Sequence, residues 1–260
     1  MTLASQRNPW IFGARPKPEA RLRLFCFPYA GGGATTYSPW VSAIAPDIEV
    51  YPVQLPGREN RVGERALLQF PNLIQALSEA LLPYFTKPFA FFGHSMGALI
   101  SFGLAQQLRQ QQRPMPEHLL LSAYRAPQIP NRESLHTLSE PALIQKILEL
   151  DGTRPEVMEN LELRQFLLPI MRADFSVCES YAYTDEEPLQ CPITAFGGLQ
   201  DSRVSQESLE AWREQTKNTF TLHMLPGSHF FLRDLQQPML RLVSQALNQH
   251  PSGSKLEMSV

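Results

Sequence analysis

Gly93-His94-Ser95-Met96-Gly97 sets a serine between two glycines, after the apolar run PFAFF and before ALISFGLAQQL, whose apolar spacing is helical. A strand, a sharp turn and a helix in that order lift a serine hydroxyl clear of the chain. They also put a backbone N–H and the positive end of a helix beside it. The two glycines remove side chains where strand and helix crowd the serine. A serine hydroxyl attacks poorly unless a base takes its proton, so Ser95 calls for a histidine. His94 adjoins Ser95, and in such a turn its side chain points away. His118 opens an apolar run, His223 lies within one, and His250 stands in the C-terminal tail. His229 differs, lying in LPGSHFFL just after the apolar stretch TFTLHML. An acid must then orient the imidazole. Asp201, in FGGLQDSRVS after PITAF, lies 106 residues after the serine and 28 before the histidine. Asp174 and Asp185 belong to a long helical segment, and Asp234 follows His229. Ser95 as nucleophile, His229 as base and Asp201 as orienting acid form the equipment of nucleophilic acyl transfer.

These residues need elements to bring them together. Strands are expected at Arg21–Phe27, Ile48–Val53, Phe89–Phe92, His118–Ser122, Pro192–Phe196 and Thr219–Leu225. Helices are expected at Phe70–Tyr84, Met96–Gln111, Ser205–Thr216 and Pro238–Asn248. The alternation argues a mostly parallel sheet with helices on both faces, the α/β class. Loops after parallel strands gather at one edge, so Ser95, Asp201 and His229 should meet there. The order Ser…Asp…His is that of the α/β-hydrolases. A developing oxyanion needs two donors. The Met96 N–H comes directly after the nucleophile, and the Ala30 N–H lies in PYAGGGATTY, a Gly-rich turn after the first strand. That turn could instead cradle phosphate, but neither a G-x-G-x-x-G nor a Walker pattern is present.

With 260 residues, 43% hydrophobic and 18% charged, the chain is neither disordered nor too small for a core. A net charge of -2 argues against a nucleic-acid partner. The sequence has no 18-residue apolar run to span a membrane and no apolar leader, which points to the cytoplasm. Cys26, Cys178 and Cys191 read as structural thiols in a reducing compartment. Residues 1–20 form an N-terminal surface segment, 21–250 one domain, and 251–260 a flexible tail. About 65 residues without a strand separate Ser122 from Pro192, too long for a plain βα connection. They read as a helical lid inserted at about 130–187. No extended apolar stripe remains once lid and core are assigned, so a monomer is expected.

FCFPYAGGGATTYSPW, QLPGRENR, FFGHSMGALISF, FGGLQDSRVS and LPGSHFFL, in that order, resemble the type II thioesterases that accompany polyketide synthases and nonribosomal peptide synthetases. The resemblance runs from about Pro9 to Leu247. It implies an α/β-hydrolase fold with a helical lid, a Ser95–Asp201–His229 triad, and oxyanion donors on the Ala30 and Met96 N–H. The implied activity removes aberrant or stalled acyl groups, through an acyl-Ser95 intermediate, from the phosphopantetheine thiol of acyl or peptidyl carrier proteins. No metal or organic cofactor is implied, because the phosphopantetheine arm belongs to the substrate. RADF at 172–175 resembles the family's lid, whereas DGTRPEV at 151–157 departs from it. A slot for the arm is expected under Phe166, Leu167, Ile170, Met171 and Phe175. Arg58, Arg61, Arg65, Arg125 and Arg132 could form a basic rim for an acidic carrier. Other readings of the same residues are a small-molecule carboxylester hydrolase, a chain-terminating thioesterase excised from a synthase, and a non-catalytic binding protein on a hydrolase fold.

Overall fold

In the computed structural model the apolar runs become six strands: β1 Leu22–Phe27, β2 Ile48–Pro52, β3 Phe89–His94, β4 His118–Ser122, β5 Ile193–Gly198 and β6 Phe220–Leu225. Among the described residues nine α-helices accompany them: α1 Ser38–Ala43, α2 Phe70–Leu81, α3 Met96–Gln110, α4 Glu140–Glu149, α5 Pro155–Glu159, α6 Leu161–Glu179, α7 Gln206–Glu210, α8 Phe231–Asp234 and α9 Gln236–Gln249. The structure describes residues 8–150, 152–153 and 155–249. The expected tail at 251–260, His250, and Asp151 and Arg154 of DGTRPEV lie outside them.

The strands pair in the order β2-β1-β3-β4-β5-β6, and every pairing is parallel. The period-two alternation of strand side chains explains why their sequences are apolar throughout. Phe25, Phe27, Phe89, Phe91, Leu119 and Leu121 face one layer, packed under α2 and α3. Leu24, Cys26, Ala90, Phe92, Leu120 and Phe196 face the other, under α1, α8 and α9. Helix α2 buries Phe70, Leu73, Ile74, Leu77 and Leu81, a stripe at helical spacing. Residues before β1 lie beside β2, where Ile11 bridges Val53 and the Gln54 N–H donates to the Trp10 carbonyl.

Between β4 and β5 the chain forms α4, α5 and α6. These helices bury a small core of their own, including Leu135, Leu143, Ile147, Leu168, Met171 and Phe175. Cys26, Cys178 and Cys191 are unpaired, and burial pushes all three thiols up. No helix of the described residues is long and apolar enough to cross a membrane.

Candidate active site

Ser95 occupies the one-residue turn between β3 and α3 with φ 53° and ψ -120°, a left-handed conformation that an L-residue holds only when its surroundings impose it. Its N–H donates to the Ser122 carbonyl at the end of β4, at 2.7 Å, and the Ala98 N–H returns to the Ser95 carbonyl at 2.9 Å. A Cβ on Gly93 would stand 2.0 Å from the Gly97 carbonyl carbon, and one on Gly97 would stand 2.1 Å from the Phe27 oxygen. Both clashes are with backbone, so relief would have to shift β3, α3 or β1. Gly93→Ala should therefore lose about 1–3 kcal/mol or more. A thermal melt superimposable on wild type would contradict this packing.

The edge where β3, β5 and β6 end brings the three candidates together. His229 Nε2 lies 3.0 Å from Ser95 Oγ, and His229 Nδ1 lies 2.8 Å from Asp201 Oδ2. The carboxylate can only accept, so Nδ1 carries the proton and Nε2 is left bare to accept the Ser95 hydroxyl. Asp201 Oδ1 accepts the N–H groups of Arg203 and Val204, at 2.9 and 3.3 Å. Burial alone would raise the Asp201 pKa. The His229 hydrogen bond and charge, with the two backbone N–H groups, outweigh it and hold the carboxyl below its ordinary range.

His94 has a role beyond pointing away from the nucleophile. It is fully buried, and its Nε2 lies 3.0 Å from the His229 carbonyl oxygen. That oxygen only accepts, so Nε2 carries the proton and Nδ1 accepts the Ser122 hydroxyl at 2.9 Å. The neutral ring thus ties the His229 loop to the end of β4. Burial, with repulsion from His229, pushes its pKa down to about 3.

Ala30 and Met96 line the same cavity as Ser95. Neither of their N–H groups has a hydrogen-bond partner among the described residues. Met171 and Phe175 of α6 line that cavity too, with Leu135, Ile147, Leu150 and Phe230. The other three residues expected to line a slot lie elsewhere. Phe166 is 64% exposed, Leu167 packs into the insertion's own core, and Ile170 is outside the lining. The basic rim also differs. Arg58 is buried against Asp174, and Arg61 is buried, donating to Glu64 and the Gln54 carbonyl and lying over the Trp10 ring. Arg65 is exposed. Arg125 and Arg132 do reach the mouth beside Ser95 and His229, joined there by Lys146 and Arg203, with Glu133 and Glu149 between them. Among the described residues no three His, Cys, Asp or Glu side chains cluster to hold a metal.

A hydroxyl, an imidazole and a carboxylate in series, with two unpartnered amide N–H groups on residues of the same cavity, can run acyl transfer. The sequence model of the thioesterase domain family matches residues 22–247. The chain belongs to that family. This thioesterase is 47% identical over 248 residues to the gramicidin S biosynthesis protein GrsT of Aneurinibacillus migulanus, spanning 95% of this chain and 97% of that one. It is 44% identical to a protein of Brevibacillus parabrevis described as linear gramicidin dehydrogenase LgrE, spanning 94% of each. Among solved structures it is similar to RedJ, a thioesterase from the prodiginine biosynthetic pathway in Streptomyces coelicolor. The TM-score is 0.83 at 38% identity, over 93% of this thioesterase and 99% of that chain. The enzyme is a thioester hydrolase of α/β fold.

Proposed function

We propose that the enzyme removes acyl groups from the phosphopantetheine thiol of carrier proteins in polyketide or nonribosomal peptide biosynthesis, with Ser95 as nucleophile, His229 as base and Asp201 as orienting acid. The unbroken hydrogen-bonded series Asp201–His229–Ser95 carries the chemistry. The likeness to GrsT and RedJ supports the carrier-bound substrate.

As Ser95 Oγ bonds to the thioester carbonyl carbon, its proton passes to His229 Nε2. The carbonyl oxygen takes up the negative charge, and the Ala30 and Met96 N–H groups receive it. Each such donor is worth about 10²–10³ in rate. The C–S bond then breaks, and His229 returns the proton to the departing sulfur. Water attacks the acyl-Ser95 ester, with His229 taking its proton, and Ser95 leaves reprotonated. The products are a free acid and a carrier with its thiol restored. Asp201 fixes the imidazole tautomer and supports its transient charge throughout. Metal and organic cofactors have no part in this cycle. The proposal includes a monomer acting in the cytoplasm, with neither nucleic acid nor membrane as partner.

The dehydrogenase chemistry that LgrE's name denotes finds no support in this chain. Hydride transfer asks for a nicotinamide cradle, and the sequence holds no G-x-G-x-x-G.

A carrier protein loaded with acetyl-phosphopantetheine tests the proposal by mass spectrometry, with p-nitrophenyl acetate in parallel. Wild type should free the holo carrier faster than it hydrolyses the ester, and Ser95→Ala should do neither. Turnover of the ester alone would replace the proposal with a small-molecule carboxylester hydrolase.

A further inference from the structure

A buried ion pair beside the oxyanion loop serves no step of the cycle above. Arg58, after β2, and Asp174, on α6, form a two-pronged pair. Nη1 donates to Oδ2 at 2.6 Å and Nη2 to Oδ1 at 2.7 Å, with both side chains at most 4% exposed. Burying two charges is a poor route to stability, because apolar residues of similar volume do as well or better. The Arg58 Nε is left without a partner among the described residues, so the cost is not even fully offset.

The pair also reaches the loop after β1. Asp174 Oδ2 accepts the Gly31 N–H at 2.7 Å, and Arg58 Nη1 donates to the Gly32 carbonyl at 3.1 Å. The Gly32 N–H closes the turn on the Tyr29 carbonyl at 2.9 Å. That carbonyl and the Ala30 N–H belong to one trans peptide and point in opposite directions. Holding the Tyr29 oxygen back into the turn therefore aims the Ala30 N–H away from it. Gly31 has φ +77°, and a Cβ there would meet Met171 Sδ at 2.1 Å, so the loop lies tight against α6. Two further contacts near the loop lead back to the segment of Arg58. The Ala34 N–H donates to Gln54 Oε1, and Gln54 Nε2 donates to the Arg58 carbonyl.

We propose that Arg58 and Asp174 are positioning residues that lock the turn at Tyr29–Gly33 so that the Ala30 N–H is aimed before substrate arrives, which makes α6 of the helical insertion part of the oxyanion hole. The proposal rests on acyl transfer at Ser95 and not on the carrier protein as substrate. It adds to the cycle a contribution from the insertion that does not involve touching the acyl chain.

The test uses a p-nitrophenyl ester, a trifluoromethyl ketone whose Ser95 adduct carries an oxyanion, and the matching secondary alcohol, which forms no adduct. Asp174→Asn should lower kcat roughly 10- to 100-fold, because one donor is misaimed and not deleted. KM should stay within about threefold, since positioning an oxyanion donor affects the transition state and not ground-state binding. Ketone affinity should fall by the same factor as kcat, while alcohol affinity should not change. Asp174→Asn leaves a buried guanidinium poorly paired, so Arg58→Met/Asp174→Leu, which removes both charges, serves as the companion. It should fold and show the same loss.

A folded variant of either kind with kcat within threefold of wild type would overturn the proposal. So would ketone and alcohol affinities that fall together, or failure of both variants to fold, since each marks the pair as structural only. A wild-type enzyme inert toward ester and ketone alike would instead remove the acyl-transfer reading beneath it. Ester turnover without carrier turnover would leave the positioning result intact.

Discussion

Asp201→Asn should lower kcat by about 10⁴ with little change in KM or melting temperature, as loss of the orienting acid does in serine triads of other folds. The geometry gives the reason. Asp201 Oδ2 accepts from His229 Nδ1, which leaves Nε2 free to accept the Ser95 hydroxyl. An amide in its place can present an N–H to Nδ1 and stabilise the other tautomer, whose proton sits on Nε2 and blocks the base. The two backbone donors on Oδ1, Arg203 and Val204, hold the side chain in place, so the substitution should be nearly isosteric. Asp174 is not free to take over, because it is committed to Arg58 and Gly31. Steady-state kinetics with a calorimetric melt check this. A variant keeping more than a tenth of wild-type kcat would remove Asp201 from the role.

The meeting of Ser95, Asp201 and His229 is legible in the sequence because each comes after an apolar strand, and parallel strands deliver their C-terminal loops to one edge of the sheet. The nearest-neighbour contacts around it depend on details that spacing does not carry. His94 ends β3, and its partners come from β4 and from the loop after β6, so only the strand order reveals that it braces His229. Arg58 looks like one of several solvated arginines in GRENRVGER, and its partner is 116 residues away. The buried carboxylate that would reclassify it is hidden in a helix with apolar residues on several faces. That same ambiguity misplaces Phe166. At about 100° per residue, Leu168, Met171 and Phe175 share a face of α6, while Phe166 falls roughly 140° round from Met171. Its hydrophobicity matches theirs, but its direction does not. Gly93 and Gly97 are the opposite case, since a Cβ on either would run into backbone that the strand–turn–helix pattern itself brings close.

Acid should unfold the enzyme sooner than its carboxylates alone would dictate, because His94 is buried as a neutral ring. Its pKa is about 3 in the folded protein, against 6.5 as the ordinary value. Between those values the unfolded chain binds a proton that the folded one does not, so stability falls as pH drops from 6.5 toward 3. The slope approaches 1.4 kcal/mol per pH unit, an upper figure of about 5 kcal/mol over the window. That is comparable with the whole stability of an ordinary domain. Asp201 acts in the same direction, since its depressed pKa contributes stability that is lost as pH falls through it. Urea unfolding at pH 6.5 and pH 5 should show a loss of roughly 2 kcal/mol from His94 alone. In His94→Gln the amide can still donate to the His229 carbonyl and accept from Ser122, but it cannot titrate. Its loss over the same interval should be smaller by that amount. Equal losses in the two proteins would mean that His94 takes up its proton without unfolding the chain. The His94–His229 bond would then not be the brace that its geometry indicates.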